Sequence, residues 1–519
     1  MGTRTRMADR AEAERGARAA APGNGEPPAP ADGFTWTRRH VVALAVLCLA
    51  ALLDVVDVTV VNVAMPAIRS SLHLSEGALA WMVSAYMVPF GGLLLLGGRA
   101  GDLLGRRNLL IGGTAMFTLS SLASGLAPNA AVMIATRAAE GASAAFVVPT
   151  TLAMLSSVFP EGAARNRALA IWGAQSALAG TLGLVAGGLL VSAAGWRWVF
   201  LVNIPVGVFV IAAAMRALPG HRPVTGDQSG RRRSFDAVGA LAATAGATLL
   251  AYAVVQTGSH SWGSARTMTL LAVAGALLGY FAVHERFFAA EPLMPISLWR
   301  NRSVSGANLV TALQGSALFA MFYSTTLYQQ QVLGYSALRT GAAYVPLGVS
   351  LLVAAGLSPA LVQRIGVRFA MASGALVSMA GLVLLSRLEV SGNLVTTLIA
   401  PEVLVGFGAG MVMIPSSIAA MSGVPAERAG VASALLNVSR QLGGALGLAV
   451  ISTIVAATTT HAMAAGHTEL AGAMTAGFRA GFTVSAGLLA AAAIAALVLL
   501  RADGRDEQVN LMDLQTAGA

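Results

Sequence analysis

Apolar runs of about twenty residues follow one another along this chain from residue 41 to residue 500, broken only by short polar or arginine-bearing stretches. A run of that length crosses the hydrocarbon of a bilayer as one helix, and lipid leaves its backbone polar groups no partners except each other. Helices are therefore the element this pattern allows. Charged residues make up 11% of the 519, against roughly 25% in a soluble chain, so a water-soluble fold is excluded. Fourteen such runs can be counted, among them 41–65, 79–97, 109–127, 430–456 and 479–500, with 458–478 polar enough to read as a loop.

The net charge of +10 comes from 33 arginines, since there is no lysine. In a soluble protein this would suggest a nucleic-acid partner. Here the arginines sit in small groups between apolar runs, which is how topology signals are distributed, so no nucleic acid is expected. With an even number of spans both tails share one side. Counted that way, 25 arginines fall on the tail side and 6 opposite, while Arg137 and Arg440 lie inside runs. The positive-inside rule then puts both termini in the cytoplasm of a multi-pass plasma (inner) membrane protein. The single cysteine, Cys48, excludes an internal disulfide or a cysteine-based metal site.

Residues 1–39 and 501–519 read as tails, the first of them disordered in composition. Between them, 40–217 and 304–500 each hold six runs, and 218–303 is a linker containing runs 7 and 8. A faint repeat relates the two sets. Aligning Gly105 with Gly366 gives an offset of 261, which also carries Gly183 onto Gly444. Internal repeats of this kind build transporters that rock about a central site.

The segment Gly98-Arg-Ala-Gly-Asp102-Leu-Leu-Gly105-Arg106-Arg107 is expected as a tight loop after the second run. Its acid and bases can pair in one conformational state and part in another, acting as a latch, or can simply set topology. Charges inside a bilayer cost roughly 2.5–3.5 kcal/mol on insertion scales, so each invites a functional reading. Asp54 and Asp57 share a helix face in the first run, and Arg137 and Glu140 share one in the fourth. Glu402 is expected near the middle of run 12, and Arg440 lies in run 13. Arg137 and Glu140 can equally well do no more than neutralise each other. Trp172, Gln175, Gln314, Tyr323, Glu402 and Asn437 are candidates for a substrate cavity, with ordinary packing as the alternative. No phosphate-binding loop, H-E-x-x-H or C-x-x-C occurs, and an enzyme is not expected.

The G-x-x-x-D-x-x-G-R-R segment resembles the loop signature of the major facilitator superfamily. Leu53–Ile68, Arg137-Ala-Ala-Glu140-Gly141, Trp196–Gly207, Tyr328–Ser336 and Gly430–Gly447 are similar, in order, to segments of its fourteen-span drug:proton antiporter family, the EmrB/QacA type. The resemblance covers about 40–500. It implies an all-α polytopic fold of two six-helix bundles plus two extra spans, fourteen transmembrane helices in all. It also implies a monomer driven by the proton gradient without a cofactor, and it falls on Asp57 within Asp57-x-Thr59-x-x-Asn62-x-Ala-x-Pro66 as the proton-coupling acid. Asp54 is the neighbour expected to tune it, Glu140 is the next candidate for the coupling acid, and Arg137 belongs to the same proton-coupling set. Departures are Glu140 where the family usually has Gln, and a fifth-run signature reading Ala179-x-x-x-Gly183-Leu184-x-x-Gly187-Gly188. That signature lacks the family's proline, while Gly183, Gly187 and Gly188 keep its close-packing face. The second loop copy has Gln363 in place of the acid.

The expected activity is efflux of a small lipophilic drug or antibiotic in exchange for protons, by alternating access across the bilayer. The alternatives are export or import of an endogenous metabolite and, from another class, a non-transporting membrane sensor or an embedded enzyme.

Overall fold

The structure is a computed structural model, and it describes residues 36–160, 163–219, 236–256, 263–289, 296–391, 394–424, 429–465 and 469–500. The two tails and most of the stretch before the seventh helix lie outside the described residues. The described part is helical throughout, and eleven stretches are long and apolar enough to cross a membrane.

The long helices are α1 (Arg38–Leu72), α2 (Glu76–Leu104), α3 (Arg106–Gly125), α4 (Ala130–Val158), α5 (Ala163–Ala194) and α6 (Asn203–Ala217). The extra pair follows as α7 (Ala237–Gln256) and α8 (Ala265–Phe287). The second set begins with α9 (Arg302–Leu327), which continues as a π-helical turn, Tyr328–Val332. A helical stretch Val345–Leu385 bends at Gly366 into α10 (345–365) and α11 (367–385). A π-helical segment Leu394–Ile399 leads into α12 (Ala400–Met421), followed by α13 (Ala429–Ala464) and α14 (Leu470–Leu499).

Several boundaries move. Helix α1 extends seven residues past the expected end at 65, and α2 runs through Gly98 to Leu104. The expected loop 98–107 thus shrinks to a turn at Gly105 (φ 85°), because continued backbone bonding is preferred wherever no residue must leave helical angles. The expected loop 458–478 is mostly helix, α13 reaching Ala464 and α14 starting at Leu470. Small, polar residues there keep helical backbone bonds beyond the apolar core of the span.

Helices α1–α6 pack among themselves, as do α9–α14. Gly105 and Gly366 (φ 79°) occupy equivalent positive-φ corners between long helices, as the repeat offset requires. Gly183 on α5 faces Thr59 of α1, and Gly444 on α13 faces Phe319 of α9, so the same helix pairing recurs in both halves. Of the extra pair, α7 lies against α2 and α13, while α8 packs mainly on α7. Met268, Val273, Tyr280 and Val283 of α8 are exposed, a face suited to lipid rather than water.

We call the side on which Trp36 and Leu500 lie the near face. On the far face the halves meet. Gln330 Nε2 donates to Val63 O (2.9 Å), Arg69 Nη1 reaches Gln331 Oε1 (3.4 Å), and Gly188 lies against the backbone of Ala337 and Leu338. A Cβ on Gly188 would stand 2.6 Å from Ala337 O, so only glycine allows this approach.

Candidate functional site

Arg137, about two turns into α4, is 2% exposed, although it carries the bulkiest fully buried side chain in the described core. It is paired twice over. Nη1 meets Asp57 Oδ2 of α1 and Glu140 Oε2 of its own helix, the latter at 2.5 Å. Asp57 is 1% and Glu140 0% exposed. The three-residue spacing of Arg137 and Glu140 puts both on the face of α4 that looks at α1.

Neutral donors complete the shell. Asn203 Nδ2, at the start of α6, donates to Asp57 Oδ1 (3.0 Å) and to Ser121 Oγ of α3 (3.0 Å). Ser124 Oγ, one turn further on α3, lies 3.0 Å from Glu140 Oε1 and 2.8 Å from Thr136 Oγ1. The Arg137 guanidinium lies 4.4 Å from the ring centroid of Tyr86 on α2, a cation–π contact, and 5.8 Å from that of Phe200. The Tyr86 hydroxyl donates to Asp54 Oδ1 at 2.5 Å. Five helices of the first half thus converge on one ionic cluster, and Tyr86 links Asp54 to it without a direct ion pair.

The charge count defines what the cluster can do. Two carboxylates face one guanidinium, so with all three ionised one negative charge is left over inside the membrane, and one bound proton removes it. Removing the arginine instead would strand two buried acids, at a cost typically of about 3–5 kcal/mol per broken pair.

Asp57, Arg137 and Glu140 are therefore brought together as a unit, with Asp54 one contact away. Sequence reasoning missed Asn203, Ser121 and Ser124. The available signal was polarity at helical spacing (121 and 124) within an apolar run, and an asparagine inside Trp196–Gly207.

The latch residues are only partly seen. The side chain of Asp102 lies outside the described residues. Arg106 Nη1 donates to Ala153 O of α4 (2.9 Å), and Arg107 Nη2 donates to Met215 O of α6, so both arginines tie the Gly105 corner to neighbouring helix ends. Gly98 lies within α2. Gly183 and Gly187 seat α5 on α1, and a Cβ on Gly187 would come 2.9 Å from Val60 Cα.

The six cavity candidates lie on α5, α9, α12 and α13. Trp172 packs on the apolar cluster of Leu44, Leu47 and Phe159, and Gln175 lies about one turn further along α5. Tyr323 is in the central core, and Gln314 Nε2 bonds Ser378 Oγ of α11 (3.2 Å). Glu402 is in the opening turn of α12, and with the π-helical segment before it the helical stretch runs from Leu394 to Met421, which places Glu402 about a third of the way along from the far face. Asn437 Oδ1 accepts from Arg440 Nη2 (2.7 Å). Arg440 itself is exposed on α13, two residues from Val438, which packs against the Tyr86 and Phe90 cluster of the first half. A separate cavity of about 420 Å³ is lined by Trp81, Tyr252, Gln256 and Ser452, between α2, α7 and α13.

Comparison with known proteins agrees with this architecture. The sequence pattern of the Major Facilitator Superfamily matches residues 47–448. The chain is 39% identical over 425 residues to the cephamycin export protein CmcT of Amycolatopsis lactamdurans, covering 82% of this chain and 87% of the relative. It is 36% identical over 478 residues to the puromycin resistance protein pur8 of Streptomyces alboniger, covering 90% and 93%. Among solved structures, a bacterial homolog of the human lysosomal transporter Spinster, inward-facing and unoccupied, superposes with a TM-score of 0.63 at 15% identity. That match covers 90% of this chain and 98% of the other, and shows a shared fold.

Proposed function

Because the chain belongs to the major facilitator superfamily, we propose that it is a proton-coupled exporter of small lipophilic drugs or antibiotics. Relatives named for cephamycin export and puromycin resistance support the direction and the substrate class. The observation that carries the coupling is the buried Asp57–Arg137–Glu140 cluster, whose one surplus negative charge is matched by one proton. In this reading each half is one six-span bundle, 40–217 and 304–500, and 218–303 holds the extra pair. The chain then crosses the plasma membrane fourteen times as a monomer, with both tails in the cytoplasm. The near face is cytoplasmic, the far face external, and the far-side contacts make this the state closed to the outside.

Asp57 carries the exchanged proton, Arg137 and Glu140 hold its charge in balance, and Asp54, reached through Tyr86, tunes it. The corner Gly98–Arg107, with Asp102, latches the cytoplasmic ends of the helices, and no cofactor is needed. The test is drug flux in proteoliposomes under an imposed proton gradient. Asp57→Asn is expected to abolish gradient-driven accumulation while the protein still inserts and binds drug. Uphill transport by Asp57→Asn at the wild-type rate would overturn the assignment.

A further inference from the structure

Outside the cluster just described, Glu402 is the buried carboxyl among the described residues of the second half, and it has no counter-ion there. Glu402 is 0% exposed, and among the described residues no arginine or histidine stands within 4.0 Å of it. Its one partner is Gln329, also 0% exposed, whose Nε2 lies 3.3 Å from Glu402 Oε1. The other oxygen of each group, Glu402 Oε2 and Gln329 Oε1, has no hydrogen-bond partner. The titratable neighbour is Tyr344, which caps the start of α10, and its hydroxyl is already engaged with Phe322 O (3.2 Å) and Thr326 Oγ1 (2.9 Å). Among the described residues, α9, α10, α11 and α13, the helices packed against α12, offer no charged group to it.

Two orphaned acceptors at one carboxyl–amide contact have a simple chemical reading. An ionised carboxylate and an amide oxygen cannot bond each other, and each left bare in a buried site costs about 1–3 kcal/mol. A carboxylic acid can do both jobs, accepting from the amide N–H on one oxygen and donating to the amide oxygen from the other. The repeat adds weight, since the offset of 261 carries Glu140 to within one residue of Glu402.

The position of Gln329 gives the pair something to act on. It lies in the π-helical turn Tyr328–Val332, and such turns disturb the regular bonding of a helix and often mark functional sites. Its two successors, Gln330 and Gln331, make the far-side contacts to Val63 and Arg69 of the first half. One turn thus faces Glu402 with its first glutamine and the opposite bundle with the next two.

We propose that Glu402 and Gln329 form a second proton-binding site, in which the protonated acid, by pairing with both ends of the amide, fixes the π-helical turn and holds the far side closed. The proton is taken from water on the far side and returned there when the pair opens. No bond other than O–H is made or broken. The role is distinct from that of Asp57, and rests on the transport reading only for the far face being external.

The test uses the full chain in lipid nanodiscs. Infrared spectra at neutral pH are expected to contain a protonated-carboxyl stretch that Glu402→Gln removes. Gln329→Met should move that stretch to the frequency of a carboxyl without a hydrogen bond. In a Cys48→Ser background, spin labels at Ser70→Cys and Leu338→Cys report the far-side opening. Raising the pH should lengthen their distance with Glu402 present, whereas Glu402→Gln, which keeps the amide pairing, should stay short. An unchanged carboxyl stretch in Glu402→Gln, or the same opening over the same pH range, overturns the proposal. If Glu402→Gln does not insert, the Gln329→Met spectrum decides, and an unshifted band there overturns it. Neither readout depends on drug flux, so failure of the export reading would be seen separately.

Discussion

At the residue scale, the ionic cluster depends on neutral side chains as much as on charged ones. Asn203 Nδ2 is the donor that holds Asp57 Oδ1 while Arg137 holds the other oxygen. A buried hydrogen bond to a charged group contributes about 1.5–3 kcal/mol, and 1.4 kcal/mol is a factor of ten. Asn203→Ala is therefore expected to cut proton-driven flux about tenfold or more. Asn62→Ala is the matched control, since Asn62 is also buried on a span but bonds only Val58 O of its own helix (3.0 Å) and should leave flux near wild type. Equal losses in both variants, measured as initial rates in proteoliposomes, would reduce Asn203 to a packing role. The acids and Arg137 were legible from sequence because a charge in an apolar run stands out. Asn203 was not, because one asparagine near a helix start is ordinary and only the fold shows what it faces.

At the element scale, glycine fixes how the helices turn and approach. Gly105 and Gly366 adopt φ of 85° and 79°, where a Cβ costs about 1–2 kcal/mol. Gly105→Ala and Gly366→Ala should each lower the apparent melting temperature of the detergent-solubilised protein. Gly112, helical and with open space where a Cβ would stand, is the contrast: Gly112→Ala should leave it unchanged or raise it. A loss in all three would point to glycine content rather than the two corners. Alignment of the loop copies located both corners, because both bear the glycine that a left-handed turn needs. Their length was misjudged, since hydropathy falls at residue 98 while helical bonding persists to 104.

For the whole molecule, the arginine asymmetry predicts the topology. In a Cys48→Ser chain, a cysteine at Arg232 or in the C-terminal tail should react with a membrane-impermeant maleimide only after the cytoplasmic side is opened. Labelling of intact cells at either position would contradict the fourteen-span arrangement. The two-bundle design is supported by the recurrence of α1 on α5 as α9 on α13. Helix α8, with one protein neighbour of substance and an exposed apolar face, is stable only where lipid covers the rest.

What the sequence by itself determined is what lipid imposes on each span separately: the succession of helices, the side favoured by arginine, and the rarity that exposes Asp54, Asp57, Arg137, Glu140 and Glu402. Each membrane helix satisfies its own backbone, so its presence can be read without knowing its neighbours. The tertiary structure alone decided who meets whom. Asp57 and Asn203 are 146 residues apart and Gln329 and Glu402 are 73 apart, and nothing local in the chain relates them. Helix rotation is set by the packing of small residues against backbone, as at Gly183, Gly187 and Gly188, and lipid does not select it because tails are equally apolar on every side.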